Sequence, residues 1–274
     1  MATDFERLYY EDENFWIDSL EDNANKNRIQ RTSALIPDHV TSLVDLGCGN
    51  GVFLNFLINQ GKKLELLGVD RSKVALTFVK SETMEAGISE LPLPDKRFDC
   101  VTCLEVIEHL PHGVYEKALE EIARVSKEYI IISVPYKEDL ERSFNQCPSC
   151  KSSFSYELHL RSFDDEKMKS LMLPFGFECV KTEYLGEQQS FLGHELYRKM
   201  LYPEQRKEFL SPICPICGYK KEQKKTSDTG GEAKKVQPRV TAKQRIISVF
   251  SSIPKMVWPK EVHYYWILAL YRKK

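Results

Sequence analysis

The sequence predicts an α/β fold: a parallel sheet with helices on both faces. Three observations lead there. Between residues 42 and 185, short apolar runs alternate with segments of helical period. The first run ends in a glycine-rich turn, Gly47-Cys48-Gly49-Asn50-Gly51, that opens onto a helical segment. Residues 262–271 (Val-His-Tyr-Tyr-Trp-Ile-Leu-Ala-Leu-Tyr) are strongly β-prone, and read as a late return to the same sheet.

Residues 5–36 read as helical, with Phe5, Tyr9, Tyr10, Phe15 and Trp16 at their start, and Pro37 ends them. Residues 1–40 are expected to form a helical lid packed on the domain. Ser42–Leu46 is a buried strand, and residues 52–60 form a helix that opens at the glycines. Residues 64–70 make a second strand, 73–80 a helix and 83–86 a weak third strand. Residues 98–103 form strand four, Val114–Val125 a helix and 129–134 strand five. A polar insertion, 137–162, breaks the rhythm. A helix over 164–173 is stopped by Pro174 and Gly176, and Phe177–Leu185 is a strand. A second insertion covers 187–260. One domain, 41–186 plus 261–274, thus carries two insertions.

The 274 residues are 42 % apolar and 29 % charged, with a formal net charge of −1. A packed core is expected, with no global bias toward nucleic acid or an anionic membrane. There is no basic-then-apolar leader and no apolar run of the roughly 18–20 residues a membrane span needs, so the expected location is cytoplasmic. Lys220, Lys221, Lys224, Lys225, Lys234, Lys235, Arg239, Lys243 and Arg245 gather in the second insertion. They read first as a solvated loop. Residues 245–258 leave peripheral membrane contact open.

Glycines at 47, 49 and 51 let the backbone turn tightly and approach a ligand. Asp70, ending the next strand, is placed to accept hydrogen bonds from two ribose hydroxyls. The spacing is G-x-G-x-G, with Val52 where a dinucleotide loop has its third glycine. Asp45, just before the turn, suits an ammonium and a sulfonium and repels a pyrophosphate.

These residues resemble the class I S-adenosylmethionine-dependent methyltransferases, in the branch with quinone-type O-methyltransferases. The resemblance rests on Val44-Asp45-Leu46-Gly47-Cys48-Gly49-Asn50-Gly51 and Gly68-Val69-Asp70. It extends to Leu91-Pro92-Leu93-Pro94-Asp95 with Phe98-Asp99, and to Cys103-Leu104-Glu105-Val106-Ile107-Glu108-His109-Leu110. It implies a Rossmann-like seven-stranded sheet, parallel except for an antiparallel last strand, with helices on both faces, to which this chain adds a Cys-rich insertion. It implies S-adenosyl-L-methionine as cofactor. Asp45, Gly47, Cys48, Gly49 and Gly51 would hold the methionine part and Asp70 the ribose. Arg71 would lie beside the adenine, with Leu104 also at the cofactor. Many relatives carry an acid over the adenine amino group where this chain has Gly87-Ile88-Ser89. Backbone contacts and Ile88 would serve there instead.

Glu105, Glu108 and His109 stand at i, i+3 and i+4 after strand four and share one face if helical. Two carboxylates and an imidazole form a half-site for magnesium or manganese. The segment also resembles the metal-binding Glu-x-x-Glu-His of some quinone methyltransferases and of small-RNA 2′-O-methyltransferases. In the latter a further histidine follows strand five, and His159 is placed to be it. A metal there lowers the pKa of an acceptor hydroxyl. Without metal, His109 offers itself as general base.

Cys147-Pro148-Ser149-Cys150 and Cys214-Pro215-Ile216-Cys217-Gly218 each resemble a zinc knuckle, and two knuckles complete a structural Cys₄ zinc site. Their wide separation makes the pairing depend on the fold. The alternative is two independent reduced turns. Cys48, Cys100, Cys103 and Cys179 read as small buried residues.

The leading expectation is therefore O-methylation of a small-molecule acceptor such as a quinone precursor, a sugar or a lipid-linked saccharide. RNA 2′-O-methylation is the second reading, and nucleic acid stays open as a partner. A zinc-stabilised binding module with a vestigial cofactor fold is the third.

Overall fold

A computed structural model describes residues 10–13, 15–16, 23–191, 213–220 and 260–274. The chain divides into two compact units: Met1–Glu187 with Gln205–Lys220 and Tyr264–Lys274, and Gln188–Glu204 with Lys221–His263.

The first unit begins with helix α1 (Asn23–Leu35), followed by β1 (Ser42–Leu46), α2 (Val52–Asn59), β2 (Glu65–Asp70), the single turn α3 (Lys73–Leu76) and β3 (Glu82–Glu85). Then come β4 (Phe98–Leu104), α4 (Val114–Val125), β5 (Ser126–Pro135), the hairpin strands β6 (Phe144–Gln146) and β7 (Ser153–Ser155), α5 (Asp165–Ser170) and β8 (Phe177–Leu185). In the second unit β9 (Gln188–Phe191) and β10 (Lys260–His263) pair antiparallel. The last strand, β11 (Trp266–Lys273), belongs to the first unit.

The main sheet has seven strands in the order β3-β2-β1-β4-β5-β11-β8. From β3 to β5 all pairings are parallel; β11 lies antiparallel between β5 and β8. The seven strands and the reversed last strand match the sequence expectation. Alternate residues fill two cores. Val44, Leu46, Ile130, Ile132, Ile267 and Tyr271 face one, covered by Leu119 and Ile122 of α4 and Met168 of α5. Leu43, Ile131 and Leu268 face the other, covered by Ile29 and Leu35 of α1 and Leu54 and Leu57 of α2. Burial on both faces explains why these strands read as continuous apolar runs.

Some boundaries differ from expectation. The helix expected over 73–80 stops at Leu76, because the Asn55 side chain takes the next backbone groups: its amide donates to the Phe78 carbonyl (3.0 Å) and accepts from Lys80 N–H (2.9 Å). Asp164 caps α5 by accepting from Lys167 N–H, and a 3₁₀ turn, Leu173–Phe175, replaces the expected last helical turn. The strand expected over 262–271 is two strands, since β10 pairs with β9 while β11 pairs with β5 and β8. The basic residues beyond Lys220 and the segment 245–258 lie outside the described residues, as do Phe5 and Tyr9. No helix among the described residues is long and apolar enough to cross a membrane.

Candidate active site at the carboxyl edge of the sheet

The glycine turn leaves the end of β1 and is tied to β2, where the Val69 carbonyl accepts from both Gly47 N–H (2.7 Å) and Cys48 N–H (3.0 Å). Gly47 and Gly49 have φ of 75° and 52°, in the left-handed region that favours glycine. Close packing adds a second constraint: a Cβ on Gly47 would lie 2.5 Å from Val106, and one on Gly49 2.7 Å from the Trp16 ring. Gly51 caps the start of α2.

Asp70, at the end of β2, reaches back to this turn. Its carboxylate accepts from Gly49 N–H at 2.9 Å and from Ser72 N–H at 2.8 Å, on different oxygens, with a further contribution from the Arg71 backbone. Burial raises its pKa. The guanidinium of Arg71 stands over the Tyr10 ring, 5.8 Å from its centroid. Tyr10, Phe15 and Trp16 form an aromatic cluster on the turn, where Trp16 O accepts from the Asn50 side chain and Tyr10 O from Ser72 Oγ. Ile88 and Leu104 are partly buried against the two cores.

Asp45 lies inside β1, 3 % exposed. Burial pushes its carboxyl up to about 7, against the opposing effects of a 2.6 Å hydrogen bond from Thr102 Oγ1 and the nearby charge of Arg28. Thr102 is opposite Asp45 in the β1–β4 register.

Residues 105–110 are turns, not the helix that would put Glu105, Glu108 and His109 on one face. Glu105 has a φ of 57°, and its carboxylate accepts from Ser133 Oγ (2.8 Å) and Trp266 Nε1 (2.7 Å). Glu108 and His109 instead converge with His159: one potential ligand atom of each lies within 4.8 Å of the others. Glu108 is fully buried, and neither carboxylate oxygen has a hydrogen-bond partner among the described residues. Its pKa stands well above the usual carboxylate range, through burial first and the charge of Glu105 second. His109 Nδ1 is also buried and has no partner among the described residues. Burial and the neighbouring His159 lower the His109 pKa to about 3. The two imidazoles meet edge to face, 4.6 Å between centroids.

The fold brings the two cysteine pairs together. Cys147 and Cys217 sulfurs are 3.7 Å apart, as are those of Cys150 and Cys214, and all four lie within 4.8 Å of one another. The loops repeat one geometry. Lys151 N–H bonds the Cys147 carbonyl and Gly218 N–H the Cys214 carbonyl, both from residues at positive φ. None of the eight cysteines is in a disulfide.

Some residues at this edge escaped the sequence reading. Arg28 of α1 bonds Ser133 Oγ (3.2 Å), stacks on Trp266 and keeps a buried, unpartnered Nε. Thr102, Ser133 and Trp266 are bland core residues until the register shows what they face. Glu138 meets the His159 ring.

The strand order, the reversed last strand, the glycine turn after β1 and the acid closing β2 define a class I, Rossmann-like S-adenosylmethionine-dependent methyltransferase domain. The model of a methyltransferase-domain family matches residues 13–182, and the chain belongs to that family. Among curated relatives it is 35 % identical over 95 residues to a ubiquinone biosynthesis O-methyltransferase of Alkalilimnicola ehrlichii, covering 31 % of this chain and 37 % of that protein. It is 28 % identical over 145 residues to a Mycobacterium tuberculosis protein assigned as an S-adenosylmethionine-dependent methyltransferase, covering 50 % of this chain and 49 % of that one. The chain thus spans less than half the length of these relatives. In fold it is similar to a Bacillus halodurans protein assigned as a methyltransferase, with a TM-score of 0.51 at 14 % identity, over 89 % of this chain and 98 % of that one.

Proposed function

We propose that the protein transfers the methyl group of S-adenosylmethionine to an oxygen of a small hydroxylated acceptor, with a divalent cation at Glu108, His109 and His159. The observation carrying this reading is the convergence of those three side chains, with Glu108 buried and without a hydrogen-bond partner among the described residues, on the segment whose Val106 packs against Gly47. A buried carboxylate with two orphaned oxygens is costly alone and is offset by a cation. An imidazole that takes up a proton only near pH 3 is a poor proton acceptor at neutral pH and a good neutral ligand. This favours the ligand role for His109 over that of general base. Glu105, held by Ser133 and Trp266, fits a supporting place behind the ligands.

The cofactor residues fit their group. Glycine at 47 and 49 lets the turn keep its tight left-handed shape against Val106 and Trp16, where a Cβ would clash. Asp70 is the candidate for the ribose hydroxyls, and Asp45 with Thr102 offers a carboxylate toward an ammonium. Arg71 and Ile88 are the candidates beside the adenine, and Cys48 and Leu104 are the remaining candidates at the cofactor. Bound S-adenosylmethionine supplies an electrophilic methyl carbon. A magnesium or manganese ion would lower the pKa of the acceptor hydroxyl and orient it. The chain's own contribution is alignment of the acceptor with the methyl carbon.

The four cysteines suit structural zinc: thiolate ligands, two knuckles and tetrahedral spacing. Such a site clamps the insertion 137–162 and does no chemistry. The arrangement into a lid over 1–40, a domain over 41–186 plus 261–274 and two insertions is part of the same proposal.

The quinone-type acceptor has the support of the relative named above. One observation favours RNA 2′-O-methylation as the second reading: His159, after β5, joins Glu108 and His109, as in the small-RNA enzymes the segment resembles. Methyl transfer from labelled cofactor, with manganese or with chelator, to hydroxylated quinone precursors and to RNA tests both. Cation-dependent labelling of the former supports the first reading, and of RNA alone the second. Labelling unchanged by chelator refutes the metal.

A further inference from the structure

We infer that Glu138 is a positioning residue that orients His159 toward Glu108 and His109. The inference rests on the reading of those residues as divalent-cation ligands. The backbone around His159 is already fixed. Leu160 N–H donates to the Glu108 carbonyl at 2.8 Å, Leu158 holds a φ of 63°, and the Leu158 backbone bonds the His109 ring. What remains free is the rotation of the His159 ring, and two carboxylates address it. Glu138 Oε2 lies 2.5 Å from Nδ1, and Glu157 Oε2 lies 3.6 Å from the same atom. Only the first is a hydrogen bond. Glu138 is itself held, because Ser143 Oγ donates to its other oxygen at 3.0 Å.

A ring that donates its Nδ1–H to Glu138 carries its lone pair on Nε2, the nitrogen then left for a ligand role. A carboxylate behind a metal-ligating histidine fixes tautomer and orientation and raises ligand basicity. Glu138 and His159 lie at opposite ends of the Cys-bearing insertion. They meet because β6 and β7 pair and Tyr156 N–H bonds the Ser143 carbonyl at 2.8 Å.

The test uses the full chain with its zinc content measured. Long-range ¹H–¹⁵N spectra of histidine-labelled, cation-free protein should show His159 as the Nδ1–H tautomer, and E138A should show a mixture. Manganese titration, followed by the resonance of the free ion, should give a dissociation constant roughly 10–100-fold weaker in E138A. E138Q keeps an acceptor oxygen and should fall between the two; E157Q should match wild type. Affinity for S-adenosylhomocysteine should be unchanged throughout. An E138A protein with wild-type tautomer and manganese affinity overturns the inference. So does one that loses manganese only together with zinc and S-adenosylhomocysteine. If wild type shows the tautomer but takes no manganese, the cation reading fails. The role assigned to Glu138 toward a ligand then fails with it.

Discussion

Burial of Asp45 makes the cofactor-free protein sensitive to pH. A carboxyl whose folded pKa is raised from 3.8 to about 7 holds its proton in the folded state where the unfolded chain has lost it. Its contribution to stability is complete below about pH 4 and is lost as pH rises through about 7. At 1.36 kcal/mol per pKa unit that span is worth about 4 kcal/mol. Thermal melts between pH 4 and 8 should therefore show a declining limb that Asp45→Asn flattens; an identical limb in the variant would assign it to other groups. An ammonium near Asp45 favours its charged form, so cofactor binding at pH 6 should release protons. Calorimetry in buffers of different ionisation enthalpy reads that release. Asp70 differs, because its oxygens already accept from Gly49 and Ser72 in the cofactor-free protein. On the proposed ribose role, Asp70→Ala would remove two charge-assisted bonds, about 3 kcal/mol together, and should weaken S-adenosylhomocysteine binding roughly a hundredfold. Unchanged affinity would sink the ribose assignment.

At the scale of elements, the hairpin β6–β7 links the cysteine cluster to the candidate cation ligands. Cys147 follows β6 and His159 follows β7, so loosening the cluster should loosen His159. Cys147→Ser with Cys214→Ser should abolish bound zinc, lower the melting temperature by several degrees and weaken manganese binding about tenfold. Elemental analysis and manganese titration check it, and wild-type manganese affinity without zinc would uncouple the two sites. The cysteines were legible because Cys-x-x-Cys is a local signal, and the fold then joins pairs far apart in the chain. Strand positions were legible because β1, β4 and β5 are buried on both faces and read as apolar runs. The end of α3 was not, since a side chain on another helix, Asn55, decides it. Nor was the separation of Glu105 from Glu108: spacing alone suggests a shared helical face, while the left-handed backbone at Glu105 turns the segment away from helix. Glu138 escaped because its partner lies 21 residues on and meets it only through the hairpin.

For the whole molecule, the last strand matters more than its position at the chain's end suggests. β11 is inserted between β5 and β8 and feeds both cores: Ile267 and Tyr271 on one side, Leu268 on the other, all fully buried. Each contributes about 2 kcal/mol by burial alone, about 6 kcal/mol together. That is comparable to the whole stability of an ordinary domain. Without β11, strand β8 also loses its only neighbour among the described strands of the sheet. A chain ending at residue 263 should therefore lose cooperative unfolding altogether, visible as the absence of a calorimetric transition. The same strand reaches the site through Trp266, whose Nε1 donates to Glu105 at 2.7 Å while its ring stacks under Arg28. Trp266→Phe keeps the strand and the apolar contact but deletes that donor. It should leave the melting temperature within a few degrees of wild type while slowing methyl transfer, because Glu105 is then held by Ser133 alone. A variant that melts like wild type and reacts at the wild-type rate would confine β11 to closing the sheet and remove it from the organisation of the site.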